Sequence, residues 1–265
     1  MEIKFEDKYV AFIDVLGFTA LVDSNNTDRL QIYFDAMEVA FNIFTEDKRN
    51  LKKFIISDSI IFIANDTEED FKTLLKAIRN LQAFLAMNDI WVRGGIAFGP
   101  VFYEDTAHII VGKAFIKAYL LEKEAKYPRV IIDPSILTKL NINLRTFYEE
   151  YNGFPHQRHD DSKLIHDYGF YGYKRFTPDD AIFVCYAHRV FNIAEQEGKK
   201  YKNTQLKVVY NHLKGNLYGP QQHYHKYLWV KKYFHESLQE LYDNSTGSSK
   251  RRNWLEEPIR DFSSL

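Results

Sequence analysis

The stretch Tyr9-Val-Ala-Phe-Ile-Asp-Val-Leu-Gly-Phe-Thr19 decides how the chain is read. Five apolar or aromatic residues run straight into Asp14. An unbroken apolar run of this length reads as a strand buried on both faces. A carboxylate at the end of such a run is costly unless something offsets its charge. Gly17 lets the chain turn sharply and bring backbone N–H groups close to a ligand. A helix follows Thr19. Strand, carboxylate, glycine turn and helix start make a place for a metal ion and a phosphate chain. An ordinary buried strand capped by a turn aspartate fits the same residues.

Working outward, residues 27–47 read as a helix with Leu30, Tyr33, Phe34, Met37, Phe41 and Phe44 on one face. Phe54-Ile-Ile-Ser-Asp58-Ser-Ile-Ile-Phe-Ile-Ala64 reads as a hairpin of two short apolar strands, with Asp58 in its turn. A second helix spans about 68–88. Residues 91–102 read as another strand pair, whose glycines mark a bulge or a close backbone approach. A short strand at 109–112 leads into a helix that Pro128 stops, then a strand at 129–133 and a short helix opened by Pro134. Residues 141–167 are polar, and 168–173 with 181–186 read as a last hairpin. Two helices follow, about 187–214 and 221–243, and the Ser-rich, basic tail from Asn244 reads as loosely held.

This order is that of an α+β, ferredoxin-like core with a C-terminal helical appendage. The expected division is a unit at 1–186, a helical extension at 187–243 and a loose tail at 244–265. In a ferredoxin-like sheet the first strand sits beside the hairpin, so Asp14 and Asp58 come together. Two carboxylates there repel unless a cation lies between them, and such a pair suits magnesium or manganese held with phosphate oxygens.

Composition narrows the classes. Of 265 residues, 45% are hydrophobic and 27% charged, and 21 Phe with 18 Tyr allow a sizeable core. A net charge of −1 gives no support for a nucleic-acid or membrane-surface partner. The single cysteine, Cys185, rules out an internal disulfide and a cysteine zinc site. No apolar stretch approaches a membrane span, and the charged N-terminus is unlike a signal peptide, so a cytoplasmic protein is expected.

Four segments together resemble the class III nucleotidyl cyclase family. Asp14 followed by Gly17-Phe18-Thr19 is similar to its first metal motif. Ile56-Ser57-Asp58-Ser59 is similar to its second, with Ser57 where glycine is usual. Arg93-Gly-Gly-Ile-Ala-Phe-Gly-Pro-Val101 and Val111-Gly112 before a helix match later signatures. Gly112 to Glu122, Tyr127 to Asp133, Asp167 to Tyr173 and the helical C-terminus resemble the pyrimidine cyclases of the Pycsar anti-phage system. That resemblance implies conversion of UTP or CTP to a 3′,5′-cyclic monophosphate and pyrophosphate. It also implies a head-to-tail homodimer with sites between subunits, and a separate effector that the product activates.

The same resemblance implies site residues. Asp14, Asp58 and the Ile13 carbonyl hold two magnesium or manganese ions. Leu16, Gly17, Phe18 and Thr19 cradle phosphates, helped by Lys174, Arg175 and Arg129; Lys113, Lys117 and Arg93 are further cations in reach of that role. The purine-reading positions are occupied by Phe54 and Ile109, which cannot make the family's base hydrogen bonds. The usual catalytic Asn and Arg fall on Ile116 and Leu120. A purine cyclase and an inactive cyclase-homology nucleotide sensor stay open as alternatives.

Overall fold

The structure, a computed structural model, describes residues 3–23, 27–42, 51–104, 109–153, 163–167, 181–219, 223–245 and 247–265. Strand β1 (Glu6–Val15) is its centre. Alternate side chains of β1 enter two different cores. Tyr9, Ala11, Ile13 and Val15 face one and Val10 and Phe12 the other, which is why the sequence shows no polar alternation. Helices α1 (Phe18–Asp23) and α2 (Thr27–Asn42) follow. The hairpin β2 (Leu51–Ile56) and β3 (Ser59–Asn65) comes next, then α3 (Glu68–Met87) and β4 (Val92–Glu104). The sheet order β2-β3-β1-β4 is antiparallel throughout, the ferredoxin-like arrangement. The α+β expectation therefore holds.

Thr67 caps α3 by accepting from the Asp70 N–H at 3.0 Å, and Glu68, Glu69 and Asp70 complement its dipole. Leu74, Ile78, Leu81 and Leu85 of α3 cover one sheet face. The other face lies under α4 (Lys113–Ala125), entered from β5 (Ile109–Gly112), through Ala114, Ala118 and Leu121. β6 (Val130–Ile132) adds in parallel to β4, and α5 (Ser135–Leu140) and α6 (Leu144–Asn152) follow. Helix α6 is unforeseen in the polar 141–167 stretch; its buried face is Phe147, Tyr148 and Tyr151.

Three further expectations are corrected. Residues 92–104 form one long strand, not a strand pair. Its glycines answer to close neighbours: a Cβ on Gly94 would lie 2.5 Å from the Phe12 carbonyl oxygen, and one on Gly95 2.3 Å from Leu121 Cβ. The C-terminal region carries four helices, α7 (Ala187–Gln196), α8 (Gln205–Tyr218), α9 (Tyr224–Asn244) and α10 (Ser249–Ser264). The first break falls at Gly198, with φ +62°, while Gly215 lies inside α8. The supposed loose tail is helix α10, capped by Ser248 and anchored by buried Leu255, Pro258 and Phe262 against α8 and α9. The remaining hairpin strand, 168–173, lies outside the described residues.

The helical extension is welded to the core. Ala83, Ala86 and Met87 on the far side of α3 join the aliphatic and aromatic core of α7, α8 and α9. Lys163 is buried against three acceptors: Asp167 at 2.7 Å and both Glu240 oxygens of α9 at 2.5 Å. His188 of α7 joins Glu240 at 3.3 Å. Burial alone would raise the Glu240 carboxyl, but Lys163 and His188 overcome it and hold it below the usual carboxylate range.

The Gly95 contact yields a stability prediction. Gly95→Ala forces its methyl into Leu121 and the Ala118 carbonyl, both on α4. Overpacking of this kind costs about 1–3 kcal/mol. The urea midpoint of the variant should fall accordingly at unchanged slope.

Candidate functional site

The β1 register builds the site. Asp14 pairs with Ser59 of β3 on one side and with Arg93 of β4 on the other. Asp58 occupies the β2–β3 turn, and its carbonyl accepts from the Val15 N–H at 3.2 Å. The Asp58 carboxylate is near enough for its charge to act on that of Asp14. Burial, then Asp58 and Glu122, push the Asp14 carboxyl up to about 6, against the opposing pull of Arg93. Arg93 Nη2 stands 3.8 Å from Asp14 Oδ2, while its Nε is ion-paired with Glu122 of α4. Asp14 thus feels the charge of two further carboxylates, Asp58 and Glu122, with Arg93 tied between Asp14 and Glu122.

Ser57 takes φ +58° in the hairpin turn. That left-handed conformation favours glycine, the residue the resemblance leads one to expect there. Gly17 likewise has φ +77° and lies at the surface. The Leu16 N–H donates to the Trp91 carbonyl at 2.8 Å. Leu16 is therefore corrected as a phosphate donor: its amide is spent inside the protein. Phe18 opens α1 and packs edge-on against Tyr33 at 5.7 Å. Thr19 lies within α1.

Tyr33 is a site residue that sequence reading assigned only to an apolar face. It is fully buried on α2. Burial, then the nearby charges of Asp58 and Asp14, raise its phenol far above the ordinary value. Its hydroxyl has no hydrogen-bond partner among the described residues. A buried phenol within electrostatic reach of two carboxylates is a potential hydrogen-bond donor.

The expected ligand set is narrowed in two places. Ile13 is fully buried and paired to both β3 and β4, so its carbonyl offers no opening to a metal. Arg129 is also fully buried, so it is not a phosphate contact. Its Nε donates to the Ala125 carbonyl at 3.1 Å, and its guanidinium lies 5.3 to 5.6 Å from the rings of Tyr127, Phe183 and Trp229. It joins core to extension instead. Lys117 is ion-paired with Asp133 and lies 3.1 Å from the Ser135 hydroxyl. Lys174 and Arg175 lie outside the described residues.

What remains fits a divalent hard cation. Asp14 and Asp58 offer oxygen donors of like charge within electrostatic reach of one another, a pairing that a cation relieves. Among the described residues no group of three or more His, Cys, Asp or Glu forms a self-sufficient metal cage. Two carboxylates with open positions are the pattern for magnesium completed by phosphate and water.

Phe54 is buried in β2, with its ring edge-on to Tyr103 of β4 at 6.1 Å. It can wall a pocket but offers no free stacking face. Ile109, partly buried, starts β5 opposite Glu104, next to the Tyr103–Ile110 pair. Ile116 and Leu120 stand exposed on α4, together with Tyr119 and Val111.

No family model matches the chain, and no curated protein matches it. Among solved structures, 83 chains match. The adenylyl cyclase CyaB from P. aeruginosa is 14% identical over 69% of this chain and 94% of its own, with a TM-score of 0.44. The guanylyl cyclase Cya2 is 14% identical over 69% and 93%, with a TM-score of 0.45. The monomeric guanylyl cyclase domain of the RhoGC fusion protein from the aquatic fungus Blastocladiella emersonii is 18% identical over 53% and 89%, with a TM-score of 0.41. Among the described residues no helix is long and apolar enough to cross a membrane.

The raised Asp14 carboxyl sets a pH dependence in metal-free protein. Its folded value, about 6, exceeds its ordinary value of 3.8, so folded protein binds that proton more tightly. The resulting stability is fully present below 3.8 and lost as pH rises through 6. At pH 7.5 with chelator, Asp14→Asn should therefore stabilise by about 1–2 kcal/mol, allowing for the partial exposure of the group. The gain should vanish near pH 4 in thermal or urea melts. Ser57→Gly should raise stability by about 1 kcal/mol at either pH, by removing left-handed strain.

Proposed function

We propose that the chain is a nucleotidyl cyclase that closes a nucleoside triphosphate to its 3′,5′-cyclic monophosphate, releasing pyrophosphate. The observation that carries this reading is the meeting of Asp14 and Asp58 beside the Gly17 turn, at the end of the central strand. Such a reaction needs the ribose 3′-hydroxyl deprotonated and aimed at the α-phosphorus, and the charge on the leaving pyrophosphate neutralised. Two magnesium or manganese ions, when bound, supply a Lewis acid at the hydroxyl and positive charge at the phosphates. The carboxylates of Asp14 and Asp58 would hold them. Arg93 tempers the negative field and fixes Asp14 from the β4 side. The Tyr33 hydroxyl lies ready to donate at the carboxylate pair. Residues 1–186 are the catalytic unit in this reading.

The base is a pyrimidine, UTP or CTP, in the same proposal. Phe54 and Ile109 replace the polar residues that read a purine, and Phe54 fills space from within the core. A bulky aromatic at this position suits a smaller base. The resemblance to the Pycsar cyclases supports this choice, and with it an anti-phage second-messenger role acting through a separate effector in the cytoplasm.

The active form is a homodimer. Val111, Ile116, Tyr119 and Leu120 on β5 and α4, with Ile55 and Ile56 on β2, stand exposed in one protomer. A grouping of large apolar side chains at the rim of a site is the mark of a partner surface. A second copy covers it when Leu120 and Ile116 meet the facing subunit.

Purified protein incubated with each of the four nucleoside triphosphates and manganese should yield one cyclic pyrimidine nucleotide, identified by mass and retention time. Asp14→Ala should abolish the product while the fold persists; surviving activity rejects the metal site. A cyclic purine product rejects the base assignment. Phe54→Ala should admit ATP or GTP. Leu120→Glu should shift the protein to monomer in sedimentation and lower turnover at least tenfold.

A further inference from the structure

Among the described residues the cationic side of the site is thin. The positions where the resemblance places a catalytic Asn and Arg are Ile116 and Leu120, Arg129 is sealed inside, and Lys117 is paired with Asp133. A pyrophosphate leaving group needs positive charge beside the metals. The helical extension reaches this place from the same chain.

The segment that brings it there is Asp89 to Trp91, which lies between the end of α3 and β4. Arg29 of α2 donates to the Asp89 carbonyl at 3.0 Å, and Asn216 of α8 donates to the Asp89 carboxylate at 2.7 Å. The Trp91 indole N–H also donates to that carboxylate, at 3.0 Å. The Trp91 carbonyl holds the Leu16 N–H, and its ring takes Tyr227 of α9 edge-on at 6.5 Å. The first turn of α9 is thereby fixed beside the Leu16–Gly17 turn. Lys226, one residue before Tyr227, is half-buried there. Its ammonium lies within electrostatic reach of Arg93, Asp14 and Glu122. Burial, then the Arg93 charge, lower its affinity for the proton, and the two carboxylates resist that.

We propose that Lys226 is a phosphate-binding residue of the nucleotide site, supplied in cis by the C-terminal extension. Without metal, three carboxylates face two cations, Arg93 and Lys226, and the cluster is close to balanced. With divalent metal bound, the same cluster becomes strongly positive. Lys226 then has an anion to meet rather than the carboxylates. A triphosphate or pyrophosphate is the chemical class that such a field selects. The extension is accordingly part of the site and not only a buttress. This rests on the reading of the site as one for a nucleoside triphosphate.

The test uses full-length protein and manganese pyrophosphate as the probe, titrated calorimetrically. Lys226→Gln should bind it at least tenfold more weakly than wild type, and Lys226→Arg within about threefold. Manganese alone should bind Lys226→Gln no more weakly than wild type, and melting curves check the fold. Equal pyrophosphate affinity in wild type and Lys226→Gln overturns the assignment. So does an equal loss in Lys226→Arg, which would trace the effect to packing instead of charge. The two readings fail separately. A wild type that shows the Lys226 dependence yet forms no cyclic product removes the cyclase reading and leaves the phosphate site. A wild type that cyclises, with pyrophosphate inhibition unchanged in Lys226→Gln, does the reverse. A wild type that binds no pyrophosphate overturns both.

Discussion

The register of β1 between β3 and β4 is the constraint on which the rest depends. Asp14 faces Ser59 on one side and Arg93 on the other only because Tyr9, Ala11 and Ile13 are locked into one core while Val10 and Phe12 are locked into the second. A slip of one residue would exchange the two sets and expel both. Apolar packing thus holds two carboxylates at a separation their charges oppose. The raised Asp14 carboxyl reflects its burial first and that opposition second. Such stored cost at a site, sustained by a core elsewhere, is what a protein carries when function and stability pull apart.

A second constraint ties the extension to this core. α3 is apolar on two sides, so the sheet cannot satisfy it alone. Arg129 is enclosed by Tyr127, Phe183 and Trp229, the last from α9. Lys163 is shared between Asp167 and Glu240, so the strand segment before residue 168 and α9 hold one another by a buried charge. Removing Lys163 would take the cation from two buried carboxylates, a loss of the kind that costs several kcal/mol, ~3–5. Displacement of α9 therefore carries a penalty at two separate places, and its first turn is held against Trp91.

Much of this was legible in the sequence, for physical reasons. The β1 run, the hairpin carrying Asp58 and the periodic face of α3 all announced themselves, because burial on both faces or on one stripe leaves a simple pattern. The pairing of Asp14 with Asp58 followed from the order of elements. The long β4 was misread because Gly94 and Gly95 look like turn residues, whereas their bareness serves the backbone of β1 and the helix α4 crossing above. Helix α10 was hidden by its polar, basic start; Leu255, Pro258 and Phe262, three and four residues apart, were the signal. Arg129 looked available because a strand arginine needs a partner, and no local pattern could reveal an aromatic cage drawn from residues 127, 183 and 229. Lys226 and Tyr33 were invisible for the same reason: their roles are set by contacts far along the chain.

The exposed face of α4 and the cluster around Lys226 bear on one another. An Asn and an Arg projecting from a partner subunit would supply charge across a dimer interface at the cost of desolvating it. Ile116 and Leu120 supply burial there instead. The interface in the proposed dimer gains apolar area, and the electrostatic work is left to groups of the chain that owns the carboxylates. Arg93 is one such group, aligned by strand pairing. Lys226, in the proposal, is another, carried on a helix whose first turn packs on Trp91 and which shares the buried Lys163–Glu240 pair. In the proposed site, whose partner contributes shape and whose own chain contributes charge, the C-terminal helices would have to be in place before a phosphate is held, so folding of the extension and competence of the site would become one event.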